Sequence, residues 1–307
     1  MPPLRIVFAG SPAAAVPSLR ALIDGPHDVV AVVTRADSGQ GRKKVMTPTP
    51  VAVEAEGAGV PVVRANRLEP VTNELMALAP DLGVIVAYGG LVREPLLSAP
   101  RLGWINLHFS LLPRWRGAAP VQRAIIAGDQ ETGVAVFQLV PELDAGDVFA
   151  SESRPIGRNQ TAGHLLDSLA ASGAAVLARV VDDLAAGSAR AVPQQGEATL
   201  AAKLTLDDGR LDWAQDAAVV DARIRGVTPE PGAFTTIDGE RFKVHAASIA
   251  HDAPGVEPGA IIERGGRVFI GTASAPIELI DVQPAGKRAM PAADWWRGRD
   301  GSSVVAR

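Results

Sequence analysis

Short apolar runs alternate with helical patterns through the first half of the chain. Leu4 to Ala9 is apolar and ends in Gly10-Ser11-Pro12. Val16, Leu19 and Leu22 then recur at helical spacing, so the segment reads as strand, loop, helix. The alternation repeats. Val29 to Val33 is strand-like, Thr49 to Glu56 helical, Val62-Val63 a short strand and Val71 to Leu78 helical. Two further apolar runs follow at Leu82 to Val86 and Trp104 to Phe109. Near-continuous apolar strands separated by helices predict an α/β unit with a mostly parallel sheet covered on both faces. Ligands of such sheets sit beyond the carboxyl ends of the strands. Thr132 to Leu139 and Val148 to Ser153 predict two more strands. One long helix comes next. Thr161 is placed to cap it, Leu165, Leu169, Leu177, Val180, Val181 and Leu184 mark its buried stripe, and Gly187 lies just past its end.

From Ser188 to Leu204 the period is lost and Pro, Gln and Ala accumulate, which reads as a linker. A short helical stretch from Ala217 to Ile224 precedes a different pattern, of short β segments punctuated by Gly, Pro and Asp. These are Ala233 to Ile237, Phe242 to His245, Ala260 to Ile262, Val268 to Ile270 and Ile277 to Ile280, with Asp238-Gly239 as a hairpin turn. Closely spaced short strands predict a small, OB-like β-barrel. The expected domains are therefore residues 1–187, a linker at 188–204, and a barrel at 205–307.

Composition narrows the picture. At 307 residues two domains are the default. The net charge of −4 supplies no global attraction for a polyanion, so any nucleic-acid contact must come from local basic clusters. Cysteine is absent, which excludes disulfides, thiolate metal sites and a cysteine nucleophile. The opening residues run straight into a strand, and no apolar stretch approaches the roughly 18 residues of a membrane span. A cytoplasmic protein with no membrane partner is expected.

The strongest chemical signal is Asn106-Leu107-His108 at the end of an apolar run. Alternate side chains on a strand share a face, so Asn106 and His108 sit together, roughly 7 Å apart at Cα. An amide can donate to a developing oxyanion, and an imidazole can move a proton near neutral pH. Asp144, farther along, offers a carboxylate to orient the imidazole. The bland alternatives are polar groups at a sheet edge and an Asp-Gly turn, the second of which suits Asp147. The run of basic residues Arg42, Lys43 and Lys44 reads either as a solvated loop or as a grip on phosphates. Arg114, Arg116, Arg123, Lys287 and Arg288 carry the same ambiguity. Trp295-Trp296 reads as packing of a terminal helix. His27, His164, His245 and His251 lack partners at meaningful spacing. No His or Cys cluster suggests a metal.

The run His108-Phe109-Ser110-Leu111-Leu112-Pro113-Arg114-Trp115-Arg116-Gly117-Ala118-Ala119-Pro120 resembles the signature of methionyl-tRNA formyltransferases. Phe8 to Pro12 resembles that family's opening turn. Gly41 to Lys44, with Thr47-Pro48-Thr49-Pro50, resembles its basic loop, and Ala87-Tyr88-Gly89 its folate-flanking loop. Pro229 to Phe234 and Val282 to Lys287 resemble motifs of its C-terminal barrel. The resemblance covers nearly the whole chain. It implies a Rossmann-like formyltransferase domain followed by an OB-like barrel that binds tRNA. It implies formyl transfer from 10-formyltetrahydrofolate, without a metal, to the α-amine of methionyl-initiator tRNA, for translation initiation. It assigns catalysis to Asn106, His108 and Asp144. Folate lining falls to Tyr88, Gly89, Ser110, Leu111, Leu112 and Pro113, and tRNA binding to Arg42, Lys43, Lys44 and Lys287. A monomer is expected. The chain departs from the family pattern at Val140-Pro141-Glu142 and Ala145. Three other readings compete with this one. A small-molecule formyltransferase would need neither barrel nor basic loop. A nicotinamide oxidoreductase would carry Gly-x-Gly-x-x-Gly where Gly10-Ser11-Pro12-Ala13-Ala14-Ala15 stands. A non-catalytic RNA-binding protein would leave the Asn-His-Asp set without purpose.

Overall fold

A computed structural model describes residues 3–41, 44–299 and 304–307. The chain divides into two compact units. One comprises Met1–Pro120, Thr132–Arg154 and Leu166–Ala201; the other comprises Val121–Glu131, Pro155–Leu165 and Ala202–Arg307.

The first unit is built on β1 (Arg5–Gly10), β2 (Asp28–Thr34), the hairpin β3 (Ser38–Gln40) and β4 (Val45–Thr47), β5 (Val62–Arg64), β6 (Leu82–Val86), β7 (Trp104–His108), β8 (Arg116–Gly117), β9 (Glu131–Gln138), β10 (Val148–Pro155) and β11 (Leu200–Ala201). Its main sheet has the order β10-β9-β7-β6-β1-β2-β5. The pairs β1/β2, β1/β6, β2/β5 and β6/β7 are parallel, and β9 runs antiparallel to β7. All of β6 is buried, as befits a central strand covered on both faces. The covering helices include α1 (Val16–Ile23), α2 (Pro50–Gly57) and α3 (Thr72–Ala77). Thr49 caps α2, its side chain accepting from Ala52 N, with Pro50 in the first turn. One core cluster gathers Val7, Val33, Leu75, Tyr88, Leu96 and Trp104. The Trp104 indole N–H is satisfied there by the carbonyl of Leu96 at 2.8 Å.

Two helices cross the division between units: α4 (Pro120–Ile126) and the long α5 (Ala162–Ala186). The second unit continues with α6 (Ala217–Gly226), β12 (Ala233–Ile237), β13 (Glu240–Ile249), β14 (Ala260–Arg264), β15 (Arg267–Ile270), β16 (Ile277–Gln283), β17 (Met290–Pro291), α7 (Ala292–Arg297) and β18 (Val304–Val305). The sheet order is β12-β13-β16-β15-β14-β18, with β17 on β16. Every recorded strand pair is antiparallel. Ile237 bridges Ala306, and Thr236 and Arg307 exchange both backbone bonds at 2.9 Å. The first strand thus meets the chain's last residues, in the small barrel-like sheet expected of this half. Asp238 and Gly239 turn the β12–β13 hairpin at φ 53° and 81°, the left-handed pair that a two-residue turn demands. Inside lie Trp213, Ile224, Phe242, Val244, Leu279 and Trp295. Trp295 packs its ring 4.6 Å from that of Phe242, so α7 is pinned to the barrel. The residues read as a linker carry β11, which pairs with β8.

Candidate active site

The site forms where β7 ends. Parallel β6 and antiparallel β9 flank this strand, with Asn106 opposite Phe137 and His108 opposite Ala135. Strand alternation turns Asn106 and His108 to one face. Asn106 is half-buried, and its side-chain amide hydrogen-bonds to none of the described residues. His108 is buried. Its Nε2 lies 2.8 Å from the carbonyl oxygen of Trp115. A carbonyl only accepts, so Nε2 carries the proton and Nδ1 of the neutral ring is bare. That bare Nδ1 stands 3.9 Å from Oδ2 of Asp144. Burial pushes the imidazole below the ordinary histidine range, and this outweighs the opposing pull of the Asp144 charge and the Trp115 carbonyl. The ring is therefore a neutral base at neutral pH.

The geometry changes one expectation. Asp144 was expected to orient the imidazole, but 3.9 Å is too long for a hydrogen bond. The main chain at Trp115 orients the ring, and Asp144 acts on it through space. The Asp144 carboxylate is itself held, accepting from Gly117 N at 2.7 Å.

Unusual backbone makes both contacts possible. Trp115 sits at φ 63°, Gly117 at 121° and Asp144 at 46°. A Cβ on Gly117 would lie 2.8 Å from the carbonyl oxygen of Ala201, and one on Gly146 would lie 1.7 Å from that of Gln138. Only glycine lets the chain pass so close at these two places.

Because β6 and β7 are parallel neighbours, the loops that follow them emerge at the same end of the sheet. After β6 the backbone turns through Ala87 (φ 50°) and Gly89 (φ 76°). The Arg35 guanidinium fastens this turn, donating to the carbonyls of Tyr88 at 3.3 Å and Gly89 at 2.8 Å. Gly89 is exposed, but the Tyr88 ring is buried in the core, its hydroxyl donating to Ala65 O at 2.6 Å. The Tyr88 side chain is thus committed to the core. After β7, Leu111 and Leu112 are half-buried and Pro113 is buried beyond a cis Leu112-Pro113 bond. Ser110 is fully buried, and its hydroxyl donates to Arg114 O at 2.6 Å. That bond braces the loop. An open cavity of about 460 Å³ adjoins the Asp144 loop, lined by Gln138, Val140, Glu142, Gly146, Asp147 and Phe149 among others.

The basic residues separate into classes. Arg42 and Lys43 lie outside the described residues. Lys44 and Lys287 are both exposed. Arg123 is committed to Asp208 at 2.9 Å and to the Ala202 carbonyl. Arg116 is bound by both Nε and Nη2 to Gln194 Oε1. Sequence reasoning missed Trp115, Gly117 and Gln194 as parts of the site. Among the described residues no His, Cys, Asp and Glu group is arranged to hold a metal, and no helix is long and apolar enough to cross a membrane.

Residues 4–181 match the formyl transferase family model, and residues 203–300 match that of the formyl transferase C-terminal domain. The chain is 62% identical over 305 residues to methionyl-tRNA formyltransferase of Clavibacter sepedonicus, covering 99% of this chain and 100% of the relative. It is 60% identical, over the same shares, to the enzyme of that name from Leifsonia xyli subsp. xyli. Its fold is like that of an N-formyltransferase from Helicobacter canadensis solved in complex with folinic acid and dTDP-3-aminofucose. That likeness has a TM-score of 0.68 at 16% identity and covers 92% of this chain and 99% of the other. Both halves of the chain are those of a formyl-transferring enzyme. Within that class, the chain belongs to the methionyl-tRNA formyltransferase family.

Proposed function

We propose that Asn106, His108 and Asp144 carry out transfer of the formyl group of 10-formyltetrahydrofolate to the α-amine of methionyl-initiator tRNA. The observation that carries this reading is the bare Nδ1 of a buried, neutral His108 facing the Asp144 carboxylate at 3.9 Å, with Asn106 next on the same strand face.

The residues present suit a folate. Half-buried Leu111 and Leu112 offer apolar surface, the turned backbone at residues 87–89 offers hydrogen-bonding edges, and a cavity of about 460 Å³ adjoins the Asp144 loop. The folate supplies an activated one-carbon unit on a nitrogen that can leave. The protein's part is to hold charge and move protons. The Asn106 amide donates to the formyl oxygen as negative charge develops there, a role worth roughly 3–4 kcal/mol for one donor in comparable sites. His108 Nδ1 accepts the proton that the attacking amine must shed, and it is the group placed to return that proton to the departing nitrogen. The Asp144 carboxylate stabilises the imidazolium that exists between those two events.

Arg42, Lys43, Lys44 and Lys287 meet the phosphates of the tRNA. The enzyme works as a monomer in the cytoplasm, where charged initiator tRNA is found. The test is an assay with formyl-labelled 10-formyltetrahydrofolate and either methionyl-initiator tRNA or free small amines. Label is expected on the charged tRNA; label on a small amine and none on the tRNA would overturn the reading. Neutralising Arg42, Lys43 and Lys44 together is expected to weaken tRNA binding and flatten its salt dependence.

A further inference from the structure

The segment between α5 and the second unit is tied to the catalytic residues at several points. Val192 and Val148 exchange backbone bonds at 2.8 and 3.0 Å. Gln194 Nε2 donates to the carbonyls of Asp144 and Gly146, both at 2.8 Å. Gln194 Oε1 accepts from Arg116 Nε at 3.1 Å and Nη2 at 2.6 Å. Every hydrogen-bonding position of that amide is in use. Thr199 Oγ1 accepts from Trp115 N at 2.9 Å, and Thr199 O accepts from Arg116 N at 2.8 Å. The next two residues form β11 on β8.

These bonds fall on either side of the two groups that matter. Trp115, at φ 63°, holds Nε2 of His108 through its carbonyl, and Thr199 holds the N–H of the same residue. Asp144, at φ 46°, aims its carboxylate at His108, and Gln194 holds its carbonyl. Left-handed backbone at non-glycine residues is strained and persists only where surroundings over-determine it. The hydroxyl and the amide supply that determination. We propose that Gln194 and Thr199 are positioning residues for formyl transfer. The Thr199 hydroxyl fixes the N–H of Trp115, the residue whose carbonyl sets the His108 tautomer, and Gln194 fixes the loop that aims Asp144. The inference rests on the roles proposed for His108 and Asp144.

The experiment compares Thr199→Val, Thr199→Ser, Gln194→Glu and His108→Ala in the full chain. It reads kcat and KM for methionyl-tRNA, the folded fraction by circular dichroism, and the His108 ring nitrogens by 15N NMR. Thr199→Val is expected to lower kcat by roughly 10- to 100-fold per folded molecule, with KM little changed. Its His108 ring should lose the fixed Nε2–H tautomer, and Thr199→Ser should restore both rate and tautomer. Gln194→Glu keeps the acceptor for Arg116 and removes both donors, so its kcat should fall while its fold survives. Wild-type kcat in both Thr199→Val and Gln194→Glu, beside an inactive His108→Ala, would overturn the positioning roles alone. A fully active His108→Ala would instead overturn the site assignment beneath them.

Discussion

Replacing Asp144 by Asn isolates what its charge does. Asparagine has nearly the same shape, and its Oδ1 can still accept from Gly117 N, now bonded to the carboxylate at 2.7 Å. The loop should therefore keep its place, and stability should change by no more than about 1 kcal/mol. What disappears is the attraction between a carboxylate and an imidazolium 3.9 Å apart. With an effective dielectric constant near 20, two unit charges at that separation attract by about 4 kcal/mol. Both side chains are little exposed, so solvent screens this pair weakly. If that attraction is realised only when His108 holds the amine proton, its loss lowers kcat by roughly 10³-fold, since each 1.36 kcal/mol is a factor of ten. The assay is single-turnover transfer of labelled formyl to saturating methionyl-tRNA, with unfolding followed in parallel. A rate within about tenfold of wild type would mean that His108 is never charged during the reaction, or that Asp144 does not face it in solution.

Other consequences follow from the same geometry. Gly117→Ala places a methyl 2.8 Å from the Ala201 carbonyl at φ 121°. It should cost about 1–3 kcal/mol of stability and up to ~100-fold in kcat, read by thermal melts and initial rates; an unperturbed kcat would show that the loop yields without moving Asp144. Asn106→Ala should lower kcat by about 10²–10³-fold with folate binding retained, and a binding defect with normal kcat would reassign it. The His108 ring should titrate below the ordinary value of about 6.5, because burial disfavours its charge. The sign for stability follows. As pH falls through about 6.5 the unfolded ring takes a proton that the native ring refuses, so stability declines toward the native value and is untouched above it. An NMR midpoint above 6.5 would contradict the burial argument.

Much of this was visible in the residues. The apolar runs at β6 and β7 marked central parallel strands, and alternation along β7 put Asn106 and His108 on one face. Asp238-Gly239 announced its hairpin because left-handed turns restrict residue choice so tightly. Most strands of two or three residues, among them β3, β8, β11 and β17, were invisible, since periodicity needs more length than they have; β5 was marked only by its adjacent valines. The partners of the proposed catalytic groups were invisible for a different reason. His108 is oriented by the carbonyl of Trp115 and Asp144 by the N–H of Gly117, and main-chain groups leave no mark in residue type. Gln194 and Thr199 lie where the period fails, so their hold on the site could not be read from spacing. Tyr88 shows the limit of motif reasoning: its neighbours turn outward, while its ring enters the core to reach the Ala65 carbonyl.

In the proposed mechanism a neutral His108 imidazole takes the amine proton during formyl transfer. The most direct measurement is single-turnover transfer from labelled 10-formyltetrahydrofolate to methionyl-initiator tRNA by a folded His108→Ala protein, alongside its affinities for both substrates. A positioned acid–base group contributes roughly 10²–10⁴-fold, so the rate is predicted to fall by that factor with both affinities preserved. Turnover at the wild-type rate would contradict the account.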